Sequence, residues 1–155
     1  MQTTAFVTAG GGFLAAVLWF DLMFDLQVLA REARGRRELP EAALTSISGY
    51  YRRVTSAARP MNRLVGAVMA ATIVAIAIQL ARDDVPDWAA LASLLLAGFA
   101  IALAATRTFP RAVRLGSGTD SLEAQTRLAR SICRDHLLCL AAIGSLLAIQ
   151  LGFAT

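Results

Sequence analysis

Four stretches of this chain are apolar over about twenty residues each. That is the length a helix needs to cross the ~30 Å hydrocarbon core of a bilayer at ~1.5 Å per residue. They run from about Thr4 to Leu29, from Met61 to Ala81, from Asp87 to about Thr106, and from about Arg134 to Phe153. In lipid every backbone polar group must be satisfied within its own segment, so the segments are predicted to be helices. The expected fold class is all-α: an integral membrane four-helix bundle forming a single membrane domain over 1–155. Composition agrees, with 57% hydrophobic and only 17% charged residues, against ~25% charged in an ordinary soluble domain. A compact soluble enzyme, a disordered tail and a disulfide scaffold are the classes this argues against.

Arginine placement predicts the orientation. All fifteen basic residues are arginines, and fourteen of them flank or occupy the first and last connections. Arg31, Arg34, Arg36, Arg37, Arg52, Arg53, Arg59 and Arg63 belong to the first connection. Arg107, Arg111, Arg114, Arg127, Arg130 and Arg134 belong to the last. The short middle connection holds Arg82 alone, beside Asp83, Asp84 and Asp87. Positive residues stay on the cytoplasmic side, so connections 30–60 and 107–133 are expected in the cytoplasm and both termini outside, in the inner membrane. The same placement accounts for the net charge of +4, and nucleic acid is not an expected partner. The partners expected are the lipid bilayer and either a second copy or another membrane protein. The N-terminus lacks a positive leader region, so the first apolar segment is expected to be retained.

The connections carry helical patterns of their own. From Glu41 to Ala58, Leu44, Ile47, Tyr51 and Val54 recur at helical spacing, with Pro40 before and Pro60 after. The expectation is a cytoplasmic interfacial amphipathic helix lying on the inner leaflet. In the second connection, Asp120 and Glu123 have the spacing of a capping box that opens a helix leading into the fourth span.

Charge inside or beside a span is costly, and this makes it the main guide to function. Asp21 and Asp25, four apart on one helix face, share that face with Gly10, Leu14, Val17 and Val28. Asn62, Arg63, Arg107, Asp135 and His136 arrive at the same depth from the other spans. The candidate polar cluster is therefore Asp21, Asp25, Asn62, Arg63, Arg107, Asp135 and His136. At least one of the two carboxylates is expected to face inward and pair with an arginine of another helix, Arg63 or Arg107; the alternative is that the bilayer ends near Asp21 and both are interfacial. Cys133, His136 and Cys139 share one face, but positions 133 and 139 stand ~9 Å apart along the axis, too far for two thiolates on one metal ion. A single histidine cannot supply both axial ligands of a membrane haem. No metal or cofactor is expected.

Small residues at four-residue spacing, Gly144/Ala148/Gly152, Gly98/Ala102 and Gly66/Ala70, predict helix-packing stripes. Gln79 and Gln150, near the outer ends, are expected to bond to headgroups or to each other.

A first span ends in Trp19-Phe-Asp-Leu-Met-Phe-Asp25, and a basic connection follows. A proline comes after the third span in Thr106-Arg-Thr-Phe-Pro-Arg-Ala-Val-Arg-Leu115, and a histidine opens the fourth in Arg134-Asp-His-Leu137. In these features the chain resembles bacterial four-helix membrane proteins related to anthrone oxygenases. Cys139 stands where that family typically carries an arginine, and the asparagines usual around its proline are absent. The resemblance implies a membrane-bound, oxygenase-like fold with His136 at a family position. Two functions are carried forward. The first is a structural or partner-binding membrane subunit whose polar cluster holds helices together. The alternative is a small oxygenase-like membrane enzyme acting on a lipid-soluble substrate near the cytoplasmic leaflet.

Overall fold

The computed structural model describes residues 2–32 and 38–153, and among them every regular element is helical. The arginines at 34, 36 and 37 lie outside the described residues, as do the side chains of Arg31 and Arg59. In chain order the helices are α1 (Gln2–Glu32), α2 (Glu41–Arg52), α3 (Arg59–Arg82), α4 (Asp87–Leu103), α5 (Phe109–Ser117) and α6 (Leu122–Leu151). A π-helical turn, Arg53–Ala57, extends α2, and another, Ala104–Thr108, joins α4 to α5 without a break. Four helices are long and apolar enough to cross a membrane: α1, α3, the fused α4–α5 rod and α6.

The boundaries follow from local chemistry. Pro60 occupies the first turn of α3, where its missing N–H costs nothing. Asp83 ends that helix in the left-handed conformation, φ 51°. Ser121 caps α6, its Oγ accepting from the Ala124 N–H at 3.3 Å. This corrects the expected capping box. Asp120 instead accepts two hydrogen bonds from the Arg114 guanidinium at 2.8 and 2.9 Å, which hold its carboxyl below the usual range.

The expected connection over 107–133 is also corrected. The third long helix runs on to Ser117 and the next begins at Leu122, leaving 118–121 as the link. Pro110 does not end the helix. An interior proline removes a donor and crowds the carbonyl four residues back, here that of Thr106. The π turn over 104–108 widens the coil at that carbonyl, so the rod continues.

Packing centres on α1 and α6. Gly10 lets α1 lie on α3 at Thr72, where a Cβ would come within 2.2 Å of the Thr72 Oγ1. At the end of the bundle away from α2, Gln79 and Gln150 close on each other. The Gln79 amide donates to Gln150 at 2.9 Å and to Thr4 at 3.2 Å, while that of Gln150 donates to Gln79 at 3.2 Å and Ser93 at 2.9 Å. This is the mutual pairing expected of them. The small-residue stripes do not pack within the bundle: a Cβ added at Gly66, Gly98 or Gly144 meets nothing within 4 Å.

α2 forms where its amphipathic pattern predicts, but its apolar face is covered by protein. Leu44, Ile47 and Tyr51 are buried with Ala112 and Leu115 of α5 and with Ala129, Ile132 and Cys133 of α6. The stripe expected to face lipid is the floor of the bundle. Lipid-sized apolar side chains instead stand outward on the long helices, among them Phe6, Trp19, Val74, Leu91, Leu95 and Phe99.

Candidate functional site

Three helices converge just above that floor. α1 contributes Asp21 and Asp25, one turn apart on the face that also buries Leu22 and Val28. α2 sends up Tyr50 and Tyr51, and α6 contributes His136. Asp25 is completely buried, with 0% exposure, and both its oxygens are engaged. Oδ1 accepts the Tyr51 hydroxyl at 2.8 Å, and Oδ2 accepts His136 Nδ1–H at 2.7 Å. Asp21 sits closer to the surface, its side chain 18% exposed. Its Oδ1 accepts the Tyr50 hydroxyl at 2.5 Å, and its Oδ2 lies 3.9 Å from His136 Nε2. Phe24 stacks on Tyr50 with ring centroids 3.9 Å apart and fixes that phenol toward Asp21.

A carboxylate taken from water must find donors or counter-charge nearby. The expected arginines do not supply them, because Arg63 and Arg107 both point outward and are exposed. The donors are two phenols and one imidazole. Burial, and then the facing carboxylates, push both tyrosine hydroxyls far above their ordinary range. They therefore remain O–H donors at neutral pH. The tyrosines are the functional residues that sequence reasoning missed. Tyr51 reads there as one more apolar member of an amphipathic stripe, although a buried phenol normally carries its hydroxyl to a partner.

The other candidates fall into place around this core. Asp135, beside His136 in sequence, turns toward α5 and pairs with Arg111 at 2.8 Å, and Arg111 also donates to the Ser131 hydroxyl at 2.6 Å. Asn62 donates its amide to the Val54 carbonyl at 2.8 Å and braces the start of α3 against the end of α2. Among the described residues no three carboxylate, thiol or imidazole groups are arranged to hold a metal ion.

The cluster closes one end of a cavity of about 370 Å³. Its walls are apolar, with Leu14, Leu18, Val65, Met69, Ala100 and Ile143 among them, while Asp21, Tyr50, Tyr51 and His136 form its polar end. Both π turns border it, through Val54 and Thr55 on one side and Ala104 and Thr108 on the other. Such turns recur where a helix is reshaped around a functional site. Phe20, Met61 and Phe109 stand at its rim, each more than half exposed.

No family model, curated protein or solved structure matches the chain.

The chemistry available is that of a held imidazole. Asp25 takes the Nδ1 proton as a hydrogen-bond acceptor, which fixes the tautomer and leaves the Nε2 lone pair on the side of Asp21. A proton gained at Nε2 would create an imidazolium between two carboxylates. This arrangement suits a general base.

Proposed function

We propose that the chain is a multi-pass inner-membrane protein, with both termini outside, that takes a lipid-soluble small molecule into the cavity near its cytoplasmic leaflet. Outward apolar side chains on four long helices support the membrane placement, since a soluble surface rarely carries so much contiguous apolar area. The arginine distribution supports the orientation. Among the described residues Arg82 alone stands at the end of the bundle opposite α2.

The observation that carries the functional reading is an apolar cavity of about 370 Å³ ending on an imidazole held by a fully buried carboxylate. Its size falls within the ~300–1,000 Å³ of small-molecule sites, which pair mostly apolar walls with a few placed polar groups. In the oxygenase-like reading, His136 removes a proton from a weakly acidic C–H. For anthrone the balance is one anthrone and one dioxygen giving one anthraquinone and one water, with the proton taken by His136 returned before water leaves. Asp25 positions the base, and the walls keep bulk water from the carbanion.

The structural-subunit reading draws on a different feature, the Gln79–Gln150 pair with Ser93 and Thr4, which is interhelical glue closed on itself. It accounts for the outer end of the bundle and leaves the cavity without a use.

The test is dioxygen uptake with anthrone by the purified protein in lipid nanodiscs. Loss of a general base costs about 10²–10⁴-fold, so His136→Ala should fall by at least that lower factor. Wild-type uptake no faster than that of His136→Ala or of empty nanodiscs would remove the oxygenase reading.

A further inference from the structure

Among the described residues the charges around the cavity do not balance. Two carboxylates, Asp21 and Asp25, face it or lie directly behind it. The groups that meet them from the packed elements are Tyr50 and Tyr51 from α2 and His136 from α6. The tyrosines are neutral donors. Asp135, next along α6, is spent on Arg111 of α5. Among the described residues no arginine lies within ion-pair distance of either cavity carboxylate, and none lines the cavity. Even a protonated His136 therefore supplies one positive charge against two negative ones.

The deficit is localised. Asp25 is saturated, with one oxygen on Tyr51 and the other on His136 Nδ1. Asp21 Oδ1 is taken by Tyr50, and Asp21 Oδ2 is left 3.9 Å from the nearest imidazole nitrogen, beyond hydrogen-bond length. That oxygen lies on a residue of the cavity lining, where the surroundings are apolar and a charge is held at low dielectric. Aromatic rings belong to the same end: Phe20 of α1 and both tyrosines line it. Ring faces attract a cation that has shed its water.

We propose that the cavity is a binding site for lipid-soluble organic ammonium compounds, with Asp21 as the counter-ion. The apolar walls take the hydrocarbon body, and the ammonium donates to Asp21 Oδ2 at the polar end. With the site empty, a proton takes the place of the ammonium. The proposal rests on the cavity being a ligand site and goes beyond the oxygenase reading, because it requires no turnover. Anions are the opposite case: with no arginine among the described lining residues, a fatty acid or a phosphate ester would add a third negative charge.

The experiment compares two fluorescent probes of nearly equal shape, 2-(1-naphthyl)ethylamine and 2-(1-naphthyl)ethanol, binding to the purified full-length protein in nanodiscs. Empty nanodiscs of the same lipid correct for partitioning. A charge-assisted hydrogen bond in a desolvated site should make the amine bind about tenfold tighter or better. Asp21→Asn should bring the amine down to the affinity of the alcohol and leave the alcohol unchanged. A second measurement needs no variant. Dicyclohexylcarbodiimide adds to protonated carboxyl groups in apolar surroundings, and mass spectrometry locates the adduct. The amine should protect Asp21 from it, and the alcohol at the same occupancy should not. Equal affinities for amine and alcohol in the wild type would overturn the ammonium proposal while leaving the cavity as a neutral-ligand site. Binding of neither probe would overturn the cavity reading and this proposal with it. Amine selectivity that survives Asp21→Asn, or carbodiimide labelling of Asp21 unaffected by the amine, would overturn the role given to that carboxylate.

Discussion

Asp25 and His136 are separated by 111 residues in the chain and meet at 2.7 Å, where the fully buried carboxylate holds the imidazole Nδ1. The contact ties the first long helix to the last. It also divides labour between the two aspartates, since Asp25 has both oxygens occupied and no exposure while Asp21 faces the cavity.

That division predicts unequal stability effects. Asp25→Ala strands the Tyr51 hydroxyl and the His136 N–H in a buried site and should cost about 3–5 kcal/mol. Asp21→Ala strands one partly exposed phenol and should cost about 1–2 kcal/mol. Glu123→Ala, which breaks an exposed pair with Arg127, should fall within about 0.5 kcal/mol of the wild type. Thermal unfolding in one detergent ranks all three. An Asp25→Ala protein as stable as Glu123→Ala would contradict the buried network.

The two tyrosines of the sequence both belong to this network, so the rise in absorbance at 295 nm on alkaline titration, the mark of phenolate, reports on no other phenol in the chain. Burial and the facing carboxylates raise both phenols above their usual value of 10.0. In the folded protein no phenolate band should develop on titration through that value. The sign of the stability effect follows. Above about pH 10 the unfolded chain loses phenol protons that the folded chain keeps, so stability is fully present below that pH and falls as pH rises through it. Tyr50→Phe together with Tyr51→Phe should flatten that alkaline loss, and an unchanged slope in the double variant would count against it.

Gly116 permits the approach of α5 to α2. A Cβ there would lie 2.8 Å from the Arg52 nitrogen and 3.0 Å from its Cα, both backbone atoms that cannot swing aside. Gly116→Ala should push the two helices apart and destabilise by about 1–3 kcal/mol. Because Tyr51 adjoins the contact, that variant should also weaken ligand binding in the cavity. Gly144→Ala, which meets nothing within 4 Å, should be neutral or slightly stabilising. Equal thermal shifts for the two would contradict the close approach.

Orientation is checked with a reporter fused after Thr155 that works only in the periplasm. Activity is expected there. An inactive fusion there, with activity from a cytoplasm-only reporter at the same position, would reverse the arginine-based assignment and move the cavity to the outer leaflet.

Much of the site was legible because charge in an apolar helix is rare: Asp21, Asp25 and His136 stood out from sequence alone. Their partners did not. Arg63 and Arg107 sit at the right depth, but depth says nothing about rotation, and both turn outward. Tyr50 and Tyr51 were hidden because periodicity scores a phenol for its ring and not for its hydroxyl. The fold was legible to the same degree. Apolar length places the end of the third span near Thr106, and a π turn before Pro110 lets the rod continue to Ser117. Leu44, Ile47 and Tyr51 marked a covered face on α2 correctly. Pattern alone could not say whether lipid or protein covers it. The small-residue stripes failed for the same reason, since shared spacing does not fix the direction a face points.

α2 lies across one end of the cavity, and the exposed side chains at its rim, Phe20, Met61 and Phe109, are all apolar. On the membrane reading, an occupant trades places with acyl chains and not with water. The concentration that matters is then moles per mole of lipid. A compound that partitions a thousandfold into the bilayer would saturate the protein at a bulk dose that looks very low, and doubling the lipid at constant total ligand would halve the occupancy of a weakly filled site. Potency ranked in aqueous units would sort compounds by greasiness before it sorted them by fit.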